Sequence, residues 1–193
     1  VKAECNLTDW GVLDGDTHEY TLYLPLYNSV EELHIGVPEN ATISAVPSRP
    51  EKPLVYYGTS IAHGAGVSRP GMSHVAQLGR RLDYPILNLG FSGNAIMEPE
   101  VATLLAELDP AAYLLDALPN KDSPGIEERA EGFVRILSKA HPSVPIVLVE
   151  DRTYPAGWLM PELARRNIES RRSFKSVYAA LLNSVENPMY YIE

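Results

Sequence analysis

From residue 51 onward, short apolar runs recur at 53–57 (PLVYY), 85–90 (PILNLG), 112–116 (AYLLD), 145–149 (PIVLV) and 188–192 (PMYYI). Each has the length of a buried strand. Between them lie stretches with helical spacing near 72–82, 98–108, 124–140 and 161–183, each long enough to carry the chain back across a sheet. Strands alternating with helices in this way predict a parallel sheet covered on both faces. Several runs open on proline, which a strand tolerates at its first residue.

The first fifty residues read differently. Tyr20, Leu22, Leu24 and Leu26 share one parity, and Thr21, Tyr23, Pro25 and Tyr27 share the other. This period of two predicts a strand. Asn28-Ser29 predicts a turn, and Leu33, Ile35 and Val37 start a second strand. A fragment of two or three strands is too small to stand alone, so it is expected to dock on the rest or to end a larger β-domain. Pro47-Ser48-Arg49-Pro50 reads as the linker. Val1-Lys2-Ala3-Glu4 is not a signal peptide, and both it and the strand-like Met189–Glu193 read as cut ends.

Composition narrows the partners. Sixteen Lys plus Arg against 25 Asp plus Glu give a net charge of -9 over 193 residues, which disfavours a nucleic-acid backbone or an anionic membrane surface. Hydrophobic residues make up 45%, enough for a buried core. Cys5 is the single cysteine, which excludes an intrachain disulfide and a cysteine-rich zinc site. No run of about 18 apolar residues that would predict a membrane span is present.

In an open parallel sheet, ligands sit beyond the carboxyl ends of the strands. The residues there are Gly58-Thr59-Ser60, Phe91 to Asn94, Ala117 to Asn120 and Glu150-Asp151-Arg152. Ser60 at a strand-to-helix turn suits a nucleophile beside free backbone N–H groups, or simply a helix cap. Gly93 lets a backbone N–H approach a substrate oxygen, or serves a loop that needs positive φ. Asn120 can donate an amide hydrogen bond to the same oxygen, or act as a turn residue after Pro119.

Taken together, Tyr57-Gly58-Thr59-Ser60-Ile61, the stretch Asn88 to Asn94, and Leu118-Pro119-Asn120 resemble the first three sequence blocks of the SGNH, or GDSL-like, hydrolases. Thr59 stands where many members have Asp. Ser68-Arg69-Pro70-Gly71-Met72 further resembles a bacterial branch with a β-rich N-terminal domain, to whose end residues 1–47 would belong. The resemblance implies a flavodoxin-like three-layer α/β sandwich over 51–193. It also implies a serine esterase or acylhydrolase acting on a carbohydrate or other small ester, with an acetyl group as one candidate. Ser60 would be the nucleophile, and the Ser60 and Gly93 N–H groups with the Asn120 amide would form the oxyanion hole. No metal or organic cofactor is implied, and the family's carbohydrate chemistry suggests export.

The family's fourth block, Asp-x-x-His, is not found in this stretch. The expectation is therefore a domain lacking its C-terminal segment and impaired in catalysis. Of the five histidines, His63 lies nearest Ser60 but has little room to turn its ring onto the hydroxyl. His74 is read as packing or surface polarity, and His141 as lying at the far end of the sheet. His18 and His34 belong to the N-terminal segment. Arg69, Asn94 and Asp151 are further candidates for substrate contact, although an ion pair with Arg152 is the favoured reading of Asp151. Rival readings are a phosphate-binding loop over 58–66, which lacks the Walker lysine, and a non-catalytic carbohydrate-binding relative.

Overall fold

The computed structural model describes residues 16–120 and 122–193, apart from the Ser123 side chain. Strands β1 (Leu54–Gly58), β2 (Ile86–Gly90), β3 (Ala112–Asp116), β4 (Ile146–Val149) and β5 (Met189–Ile192) occupy the five apolar runs. The connecting helices are α1 (Ser60–His63), α2 (His74–Leu82), α3 (Pro99–Leu105), α4 (Ser123–Ala140) and α5 (Pro161–Leu181). All strand pairs are parallel, in the order β2-β1-β3-β4-β5. This is the flavodoxin-like doubly wound order, which reverses direction between β1 and β3 and so opens a crevice at their carboxyl ends.

Strand parity distributes the side chains between the two faces. Val55, Tyr57, Tyr113, Leu115, Ile146 and Leu148 face α3, α4 and α5, where Phe133, Leu137, Phe174 and Leu181 close the main core. Burying one such side chain contributes about 1.5–3 kcal/mol. On the other face, Tyr56 meets Ala62 of α1 and Val75 of α2, with Ile86 and Leu114 beside them. The expected cover on both faces is thus present over β1. Farther along this second face Val147 and Val149 are half-buried, and Tyr190 and Ile192 are 55% and 49% exposed. Among the described residues, no helix covers that part of the sheet.

The two strands expected between residues 18 and 37 are not formed among the described residues. That segment is irregular backbone with a bend near Leu26, and nearly all its side chains are exposed. Alternation selects a face, but a strand needs a ladder partner, and the described residues supply none. The segment instead lies against the sheet's β2 side through side chains. The Tyr23 hydroxyl accepts from Arg80 Nη1 at 2.8 Å, and Arg49 of the expected linker pairs with Asp83.

α1 lies so close to the end of β2 that a Cβ on Gly90 would meet the His63 backbone nitrogen at 2.2 Å. No side-chain rotation relieves a clash with backbone. Gly90→Ala is therefore expected to destabilise the fold by roughly 2 kcal/mol or more. Urea unfolding checks this, and a loss below about 0.5 kcal/mol would mean that α1 does not rest on β2.

Candidate active site

Three loops meet at the carboxyl edge of the sheet. Thr59 is buried and caps α1, its Oγ1 accepting from the Ile61 N–H at 3.3 Å. The cap role considered for Ser60 thus falls to Thr59, and the half-buried Ser60 is the first residue of the helix. The Ser60 carbonyl accepts from the Gly64 and Ala65 N–H groups at 2.9 and 2.8 Å, which holds this single turn closed.

The loop after β2 is tied to the loop after β1, because the Phe91 N–H donates to the Gly58 carbonyl at 2.8 Å. Gly93 sits at its exposed tip with φ 75°, a region that favours glycine. Asn94 turns its amide back onto the Ser92 carbonyl at 3.0 Å. Asn120 ends the 3-10 turn Leu118–Asn120, and its Nδ2 stands 3.5 Å from the Phe91 carbonyl. That contact is at the limit of a hydrogen bond, so the amide is weakly committed. Gly58, Phe91 and Asn120 thus form one chain of contacts linking the loops that carry Ser60, Gly93 and Asn120.

The Gly93 loop is also held at its far end. Met97 is buried with φ 57°, a left-handed conformation that costs a bulky residue on the order of 1 kcal/mol or more. Its N–H donates to the Tyr57 hydroxyl at 3.0 Å, and that hydroxyl donates to Glu98 Oε2 at 3.3 Å. Burial pushes the Tyr57 phenol above its ordinary pKa, so it keeps the proton it donates.

Beneath the edge runs a buried polar network that the sequence reading missed. Asp116, at the last position of β3, is 1% exposed. It accepts from the Tyr56 hydroxyl at 3.0 Å and from Arg152 Nη2 at 2.9 Å, and His74 Nε2 lies 3.6 Å away. His74 Nε2 is also 3.1 Å from the Tyr56 hydroxyl, so the histidine read as packing or surface polarity belongs to this network. A charged residue closing an otherwise apolar strand was the available signal. Arg152 does approach Asp151, but at 3.6 Å against 2.9 Å for Asp116.

Asp151 itself is turned inward. Its side chain is buried and accepts from Asn167 Nδ2 at 3.0 Å. Burial pushes its carboxyl above the ordinary value of 3.8, partly offset by Tyr154, Arg152 and Asn167. Arg69 is exposed in the loop before α2, 3.4 Å from the Ser68 hydroxyl. His63 Nε2 contacts the Leu26 carbonyl, and its ring stacks on Tyr27 at 4.5 Å. His141 Nε2 is 3.0 Å from the Ala106 carbonyl, at the sheet's opposite end. Among the described residues, no cluster of three or more His, Cys, Asp or Glu could hold a metal, and no helix is long and apolar enough to cross a membrane.

A doubly wound α/β sheet with serine, glycine and asparagine loops gathered at one carboxyl edge defines the SGNH hydrolase class of fold. The chain belongs to the GDSL-like lipase/acylhydrolase family, whose sequence profile matches residues 51–193. Residues 1–43 match the N-terminal region of SGNH hydrolase-type esterases. A GDSL-like lipase from Bacteroides ovatus ATCC 8483 is 34% identical with a TM-score of 0.82, over 89% of this chain and 51% of its own. The salicylyl-acyltransferase of a tetracycline biosynthetic pathway (23% identity, TM-score 0.65) is covered over 43% of its length by 75% of this chain. A family two carbohydrate esterase from Clostridium thermocellum, solved with cellohexaose (14%, 0.58), is covered over 56% by 79% of this chain. At those identities the last two share the fold alone. The chain thus spans about half the length of these solved structures. No curated protein matches it.

The two buried aspartates are expected to respond unequally to amidation. Asp116→Asn strips a charge from Arg152 and Tyr56 and should cost about 3 kcal/mol, the lower end for a broken buried pair because Arg152 is 38% exposed. Asp151→Asn keeps an acceptor for Asn167 and should cost less than about 1 kcal/mol at neutral pH. A raised folded-state pKa means that the native state binds its proton more tightly than the unfolded chain. Asp151 therefore stabilises the fold below pH 3.8, and that contribution is lost as pH rises through the raised value. Unfolding curves across this range should show Asp151→Asn gaining on the wild type as pH rises, and a gap constant with pH would contradict the burial effect.

Proposed function

We propose that this chain carries the nucleophile and oxyanion hole of a serine ester hydrolase. Ser60 Oγ attacks the ester carbonyl carbon, the alkoxide leaves with a proton, and water then cleaves the acyl-serine. The N–H groups of Ser60 and Gly93 and the Asn120 amide stabilise the oxyanion. The observation that carries this reading is the contact chain from Gly58 through Phe91 to Asn120, joined to the release of Ser60 from capping by Thr59.

The base is proposed to come from outside these 193 residues. His63 is engaged by Leu26 and Tyr27, His74 by Tyr56 and Asp116, and His141 lies at the far end. A solved relative of which this chain covers 51%, and the incompletely covered β4–β5 face, are consistent with further chain contributing to the site. A carbohydrate acyl ester, acetyl first, is the proposed substrate; a carbohydrate esterase is among the proteins of like fold. Residues 1–47 are proposed to end a β-rich accessory domain, and the protein to be exported. Arg69 and Asn94, both exposed, remain proposed substrate contacts. A second reading, a non-catalytic carbohydrate-binding relative, is favoured by the Asp-x-x-His block not being found in this stretch.

In the whole protein, Asn120→Ala should lower kcat for an acetyl ester by about 10² to 10³, and a loss under about threefold would remove Asn120 from the site. The 193-residue stretch alone should hydrolyse p-nitrophenyl acetate barely above background, since a serine hydrolase without its base keeps roughly 10³ to 10⁴ over water. Robust Ser60-dependent turnover by this stretch would place the base among the histidines present. Failure of a fluorophosphonate to label Ser60 in the whole protein would favour the binder.

A further inference from the structure

We propose that Tyr57 and Glu98 form a clip that sets the shape of the Gly93 loop, making both of them positioning residues for the reaction proposed above, on which this inference rests. A Cβ built on Gly93 would find nothing within 4 Å, so the tip of the loop is not fixed by its own packing. Within the loop the Phe91 carbonyl accepts from the Asn94 and Ala95 N–H groups at 3.2 Å each, so the turn closes on itself and its placement is set at its two ends. At the near end the Phe91 N–H is bound to the Gly58 carbonyl, and the Phe91 ring lies against the Tyr57 ring with centroids 6.0 Å apart. At the far end the Tyr57 hydroxyl accepts from the Met97 N–H and donates a hydrogen bond to Glu98.

Glu98 Oε2 also accepts from the Ile96 N–H at 3.3 Å. Glu98 occupies the N-cap position of α3, yet its side chain makes no cap hydrogen bond. An acid there would ordinarily serve the helix's free N–H groups. This carboxylate is diverted to the loop instead. Pro99 follows, and Glu98 holds extended backbone at φ -71°, ψ 137°, so the clip also fixes where α3 begins. Left-handed backbone at Met97 persists where surrounding contacts over-determine it, and such strain gathers at functional loops. Tyr57 is fully buried and stacks on Phe133 at 5.0 Å, so the hydroxyl is presented from the rigid core only three residues before Ser60.

The test uses the whole protein with p-nitrophenyl acetate, together with amide hydrogen exchange. Tyr57→Phe keeps the ring and removes the hydroxyl. It should lower kcat by about 10-fold or more with KM within about threefold, the signature of an interaction lost in the transition state. Exchange should quicken at residues 92–97 while the α4 amides stay unchanged. Glu98→Ala should do the same, and Glu98→Gln, which keeps an acceptor oxygen, should restore most of the rate. A Tyr57→Phe protein with a lowered Tm but unchanged kcat and unchanged loop exchange overturns the clip and leaves the esterase reading standing. If the wild type shows no Ser60-dependent turnover, the esterase reading falls. Exchange then decides the clip alone: faster exchange confined to 92–97 supports it, and none overturns it.

Discussion

The close approach of α1 to the end of β2 is the constraint on which the edge of this sheet depends. With a hydrogen in place of a side chain at Gly90, the His63 backbone comes within what would be 2.2 Å of a Cβ. α1 is a single turn with little cooperativity of its own, so it is held by what it touches. Its N-terminal residue is Ser60, and the strand that it leans on runs directly into the Phe91–Gly93 loop. One steric allowance therefore places two of the three loops against each other. Thr59 completes the arrangement by taking the capping bond.

Below the loops, the edge is stiffened by charge rather than by apolar packing. A carboxylate as deeply buried as Asp116 is tolerable because Arg152, Tyr56 and His74 surround it. Asp151 is a different case, since one of its oxygens is buried without a hydrogen-bond partner and burial raises its pKa. The two acids lie at the ends of neighbouring strands and share Arg152. The β3 and β4 ends are thereby joined across the sheet, next to the turn that carries Asn120. Arg166 adds a further tie from α5, donating to the Pro119 carbonyl at 3.0 Å.

The sheet is unequal on its two faces. α3, α4 and α5 bury one face over β1, β3 and β4, whereas α1 and α2 cover the other over β2 and β1. The N-terminal segment touches the same end of the molecule, with Leu26 and Tyr27 on His63 and Tyr23 on Arg80. Contact between that segment and α1 engages the histidine three residues beyond Ser60. Membership of the GDSL-like family rests on residues 51–193, and this chain covers 51% of the GDSL-like lipase it resembles.

Strand and helix positions were legible along the chain because apolar periodicity is a local property, and the βα alternation left a parallel sheet as its consequence. The blocks around Ser60, Gly93 and Asn120 were legible for the same reason, each being a short stretch at the end of a strand. What alternation could not supply was a ladder partner, so the N-terminal residues that look like strands are irregular backbone among the described residues. Nor could spacing tell which acid meets which base. Asp116 and Arg152 are 36 residues apart, and Tyr57 and Glu98 are 41 apart. The tertiary structure alone decided these pairings, because hydrogen bonds between distant residues exist only once strand order and register have brought their elements together.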